Sequence, residues 1–151
     1  MGQIYLQMVL AVLLGGVLGL EREMAGKTAG LRTYALVSLG ACLFSLISSN
    51  AFSTLVGSSS FDPSRIASQI VVGVGFIGAG VIFVSKEKIR GLTTAAGLWV
   101  SAAVGMAVAY RLYDIAIFGT ALTLVVFVFF WFLEKKIIKN LTKNEDEPSS
   151  Y

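Results

Sequence analysis

From Ile66 to Val84 the chain carries no charged residue. As a helix rising about 1.5 Å per residue, that run is roughly 28 Å long, close to the ~30 Å hydrocarbon core of a bilayer. Lipid offers a backbone no hydrogen-bond partners, so such a run satisfies its own N–H and C=O groups by coiling into a helix. A start signal stands ahead of it. Asp62 is suited to cap orphan N–H groups, and Pro63 suits a first helical position. The stretch from Asp62 to Val84 is therefore expected to span a membrane. The composition agrees: 56% of residues are hydrophobic and only 14% charged.

The same run is dense in glycine. At about 100° per residue, Gly73 and Gly80 share one face with Gln69, while Ser68, Gly75, Gly78 and Ala79 lie on the other side. Small residues let helix backbones approach closely in lipid. A helix that is small on two sides is expected to be sandwiched at the centre of a bundle. Gly73-Val74-Gly75-Phe76-Ile77-Gly78 also matches the dinucleotide fingerprint. That motif needs a preceding strand, a helix opening at the glycines and an acid about 20 positions on. Here the glycines sit inside one apolar run, and close packing is the better reading.

Four further apolar segments flank it: Ile4–Leu20, Thr33–Ser49, Leu92–Tyr110 and Ile115–Leu133. The fold class expected is all-α, a polytopic bundle of about five transmembrane helices over residues 1–133. A short, basic, partly disordered tail follows over 134–151, with a short surface-lying helix near 134–141. No Lys or Arg precedes the first segment, which reads as a retained anchor. Gly15 and Gly19 form a small-xxx-small pair in it. Ala35, Ser38, Cys42, Ser45 and Ser49 make a small stripe on the second, and Thr94, Gly97, Ser101 and Gly105 make another on the fourth. Residues 50–60 are Ser-rich and are expected to form a loop. The fifth segment, with Phe118, Phe127, Phe129, Phe130 and Phe132, is expected at the periphery.

Topology follows from charge. The first link, third link and tail carry 3, 3 and 4 Lys/Arg residues; the N-terminus, second link and fourth link carry 0, 1 and 1. The positive-inside rule then places the N-terminus outside and the C-terminus in the cytoplasm. Tyr5, Tyr110 and Tyr113 fall at the outer interface, and Tyr34 and Trp131 at the inner one. A faint repeat sits at that inner face, where Lys27-x-x-Gly30-Leu31-x-Thr33 recurs as Lys88-x-x-Gly91-Leu92-x-Thr94.

The chemistry is sparse. There is no histidine, and Cys42 is the sole cysteine. No catalytic triad, phosphate loop or metal-ligand cluster is visible, so no catalytic or cofactor-binding residue is assigned and the chain is not expected to be an enzyme. No nucleic-acid signal is present. The charges gather instead at helix ends. Glu21, Arg22, Glu23 and Arg32 flank the first link, and Arg90, Thr93 and Thr94 open the fourth segment. An ion-paired cluster is expected there, with Arg90 making a two-toothed contact to Glu21 or Glu23; solvated, snorkelling end charges are the plainer reading. Asp62, Arg65 and Gln69 form a second set near the opposite face. Asp62 is the one metal-ligand candidate, although a helix cap is its simpler role. Mg²⁺ is usually held through carboxylates, and none lies deep in any segment.

Five blocks now stand in order: Gly19-Leu20-Glu21-Arg22-Glu23, Ala29-Gly30-Leu31-Arg32-Thr33, Asp62-Pro63-Ser64-Arg65-Ile66-Ala67, Gly75-Phe76-Ile77-Gly78-Ala79-Gly80 and Arg90-Gly91-Leu92-Thr93-Thr94-Ala95-Ala96-Gly97-Leu98-Trp99. Together they resemble the MgtC/SapB family of bacterial inner-membrane proteins over roughly residues 4–133, as a short member without the soluble C-terminal domain of virulence-type members. The resemblance implies a multi-pass plasma-membrane protein tied to magnesium homeostasis and adaptation to low magnesium. In some members the implied route is restraint of another membrane protein, the ATP synthase. It leaves Mg²⁺ as ligand or signal, and the bilayer, a second copy (a dimer) or another membrane protein as partners. An oligomeric transporter or channel for Mg²⁺ or another ion is the alternative.

Overall fold

The computed structural model describes residues 2–55, 64–85 and 87–145. Five helices and one hairpin follow in order: α1 (Gly2–Met24), α2 (Leu31–Leu55), α3 (Ser64–Ala79), β1 (Phe83–Ser85), β2 (Lys88–Arg90), α4 (Leu92–Ala109) and α5 (Tyr113–Glu145). Among the described residues, four helices are long and apolar enough to cross a membrane: Gly2–Met24, Leu31–Asn50, Leu92–Ala109 and Tyr113–Ile137. The all-α bundle expected from the sequence is the fold found.

α3 departs from expectation. It is a shorter apolar helix of 16 residues, about 24 Å long. The uncharged run leaves the helix at Ala79, where the Val81 and Ile82 amides turn back onto the Gly78 and Ala79 carbonyls. The remaining Phe83-Val84-Ser85 pairs antiparallel with Lys88-Ile89-Arg90, with Phe83 opposite Arg90 and Ser85 opposite Lys88. β-branched residues after a glycine favour this extended path. Gly91 follows at φ 91° and lies against the Val81 carbonyl, where any side chain would collide. The hairpin is thereby pinned to the start of α4.

Nor is α3 the centre. The core is α1, α2 and α4 packed on one another; α5 lies against α4 and α1, and α3 against α4 and the edge of α2. Glycines mark which contacts are closest. A Cβ on Gly15 would fall 2.6 Å from Ser38 Cβ, and one on Gly19 would fall 2.7 Å from the Gly30 carbonyl oxygen. On Gly97 it would meet the Tyr34 hydroxyl, and on Gly105 the Ser38 carbonyl. Gly73 and Gly75 have no such neighbour within 4 Å, and Gly78 meets only Ala95 at an ordinary 3.5 Å. Gly80 would meet the Ile77 carbonyl of its own turn at 3.3 Å. The expected two-sided sandwich is corrected accordingly. A glycine face closes only where the facing helix is also small: the stripes Ser38–Cys42–Ser45 on α2 and Thr94–Gly97–Ser101–Gly105 on α4, all buried, belong to the packed α1–α2–α4 core, with Gly105 on Ser38 and Gly15 of α1 on Ser38 and Ser101.

Buried polar groups tie the three helices. Ser101 Oγ donates to the Tyr34 carbonyl at 2.9 Å, and the Tyr34 hydroxyl donates to the Thr94 carbonyl at 3.2 Å. Tyr34, expected at the interfacial belt, is fully buried. Gln7 Nε2 donates to the Val108 and Ala109 carbonyls at 2.9 and 2.8 Å, closing the end of α4. α2 runs on to Leu55, through residues expected to be loop. α5 runs without a break from Tyr113 through the basic segment expected as a separate short helix. Over Tyr113–Ile137 it is largely exposed, with Ala116, Thr120 and Phe127 buried against the core.

Candidate functional site

At the face where α1 ends and α2 and α4 begin, a cavity of about 460 Å³ opens between α1, β2, the start of α4 and α5. We call this the basic face. The cavity combines charge, from Arg22, Lys27 and Glu134, with hydroxyls from Thr93 and Thr94 and an aromatic wall of Phe127, Phe130 and Trp131. Spacing places the wall. Residues 127, 130, 131 and 134 follow one another by three and four along α5 and therefore share a face.

Arg22 is the central group. It is 3% exposed, although its charge is among the most costly to bury. Three contacts offset that cost. Its Nε and Nη2 donate to the two carboxylate oxygens of Glu21, the second at 2.7 Å. Its guanidinium lies 3.8 Å from the centroid of the Phe127 ring. A planar fork matches carboxylate and ring together, which an ammonium cannot do. Thr94, which lines the cavity, accepts the buried Tyr34 hydroxyl at its carbonyl. At the rim Lys135 Nζ stands 4.0 Å from the centroid of Trp131.

The structure brings together some of the residues singled out from sequence and separates others. Glu21 and Arg22 pair, and Thr93 and Thr94 line the same cavity. Glu23 serves the helix start instead. Its Oε2 accepts the Leu31 amide at 2.9 Å and caps α2. Arg90 is exposed on β2, and the two-toothed contact expected of it is made by Arg22 instead. Arg32, exposed at the start of α2, and Gln69, exposed on α3, line a second cavity between those helices. Arg65 is exposed in the first turn of α3. Asp62 lies outside the described residues. Among the described residues, no group of three or more His, Cys, Asp or Glu could hold a metal ion.

Lys27, Phe127, Trp131 and Glu134 were not legible as site residues. The three-and-four spacing on α5 was the available signal. It reads as lipid-facing aromatics until α5 is docked against Arg22.

The MgtC family model matches residues 8–136. The chain is 46% identical over 123 residues to a protein of Escherichia coli (strain K12) named "Putative magnesium transporter YhiD", covering 80% of this chain and 57% of that one. It is 52% identical over 96 residues to "Protein MgtC" of Brucella abortus (strain 2308), covering 64% of this chain and 38% of that one. An uncharacterized protein of Haemophilus influenzae is 39% identical over 126 residues, covering 81% and 53%. The chain thus spans about half the length of several curated relatives that it matches. No solved structure matches. The matched span runs from α1 into α5 and contains Glu21, Arg22, Thr93, Thr94 and the aromatic wall: the chain belongs to the MgtC family.

Proposed function

We propose that this chain is a regulatory membrane protein of bacterial magnesium homeostasis, acting on another membrane protein through the cavity at Arg22. The observation that carries this is a buried guanidinium under an open, aromatic-walled cavity. Tyr, Trp, Phe and Arg, half-covered beside a polar rim, are what protein contact sites are built from. We place the basic face in the cytoplasm, because ten of twelve Lys/Arg residues lie on that side of the spans. The partner then presents a cytoplasmic element with an acidic or carbonyl group for the remaining Arg22 and Lys27 donors. The chain does this without catalysing a reaction.

The test is growth at low magnesium in a host that depends on the protein. Arg22→Lys keeps the charge and loses the fork and the ring contact. It is expected to insert at normal abundance and fail to support growth, whereas Arg90→Lys, exposed on the hairpin, is expected to be silent. Full growth with Arg22→Lys would sink this reading.

A second reading is favoured by the printed name of the E. coli relative, a putative magnesium transporter. On it, copies of this chain assemble into a path for Mg²⁺ or another ion. Liposomes holding only the purified chain separate the two: regulation predicts no Mg²⁺ entry above empty liposomes, and transport predicts entry.

A further inference from the structure

α2 and α3 part to leave a groove of about 600 Å³, within the ~300–1,000 Å³ of small-molecule sites. Its floor is Val37, Ala41, Ile70 and Val74, where the two helices meet. It is wide because Gly40 and Gly73 line it, and neither has an atom within 4 Å of where a Cβ would stand. At its mouth on the basic face is Arg32, exposed. The ion pair among the described residues is Arg22–Glu21, so Arg32 has no acid of its own.

Length decides what fits. From Arg32 to Phe44, the residues of α2 that line the groove rise about 18 Å at ~1.5 Å each. Half of a ~30 Å hydrocarbon core is about 15 Å. The groove is therefore one leaflet deep, with a cation at headgroup level, mostly apolar walls beneath, and Thr33 and Gln69 as its polar side chains besides Arg32. A partner helix crossing the whole bilayer would need about twice that surface. We propose that the groove holds a single anionic phospholipid from the leaflet at the basic face, with an acyl chain between Gly40 and Gly73 and the phosphate on Arg32. A guanidinium fork suits phosphate oxygens, and basic pockets between membrane helices hold anionic headgroups.

The test uses the whole chain in detergent micelles, offered phosphatidylglycerol or phosphatidylethanolamine and read by native mass spectrometry. Wild type is expected to retain phosphatidylglycerol about fivefold better, the scale of one basic residue beside an anionic lipid surface. Arg32→Gln should bring that ratio to about one. Gly73→Leu and Gly40→Leu fill the groove from opposite walls, each from a Cβ position with no atom within 4 Å. Either, folded by circular dichroism, should lose both lipids. Equal retention of the two lipids by wild type would overturn the proposal. So would wild-type retention in a folded Gly73→Leu or Gly40→Leu protein. A third overturning result is a Leu variant that abolishes a dimer and leaves lipid binding intact, since the occupant is then a second copy.

Discussion

The closest helix contacts turn on single hydrogen atoms. Gly105 lies against the Ser38 carbonyl, while Gly75 faces open space. Gly105→Ala should therefore lower detergent thermal stability sharply, by about 1–3 kcal/mol or more from overpacking. Gly75→Ala should leave the protein at least as stable as wild type, since Ala is the better helix former. A thermal melt of each purified variant compares them directly. Ser38 offers the complementary case. Its Oγ is buried and has no hydrogen-bond partner among the described residues, because Ser101 already occupies the Tyr34 carbonyl one turn back. Removing an unpaired buried hydroxyl removes a cost, so Ser38→Ala should match or exceed wild-type stability in the same melt. A substantial drop would mean that the hydroxyl has a partner after all.

Elements were legible from the sequence where periodicity was strong. The small stripes on α2 and α4 are the seam at which α1, α2 and α4 meet, and Gly15 and Gly19 complete it. α3 misled because its glycines carry the same signature as a buried helix. Packing needs a small partner opposite, and a single helix does not reveal one. Its last residues read as helix because hydropathy cannot tell a short apolar strand from a helix end over so few positions. Gln7 was missed for another reason. Its carbonyl partners lie on Val108 and Ala109, about a hundred residues away, and nothing local to α1 points to them. Gln7→Leu should strip the Ala109 carbonyl of this partner, while Val108 keeps the Arg111 amide, and cost about 1–3 kcal/mol. The measurable sign is a lower melting temperature, with faster hydrogen exchange at the end of α4. The Arg22 site was half legible. Glu21, Arg22, Thr93 and Thr94 stood out as charges and hydroxyls at helix ends, but Phe127 and Trp131 become part of the site only through the docking of α5.

Across the whole molecule, charge and packing describe one asymmetric object. A tight three-helix core carries a polar, aromatic cavity at its basic end and a lipid-sized groove on its flank. Orientation is the first prediction at this scale. A reporter fused after Tyr151 should behave as cytoplasmic, since the basic links and tail share that side; periplasmic activity would reverse the placement of the cavity. On the proposed function, the cavity at Arg22 meets another membrane protein. The most direct measurement places a photo-crosslinking amino acid at Phe130, on the cavity wall, in membranes from cells grown at low and high magnesium. A discrete adduct with another membrane protein is expected, stronger at low magnesium and absent with Arg22→Lys at equal abundance. No adduct at either magnesium level, together with Mg²⁺ entry into liposomes holding this chain alone, would contradict it.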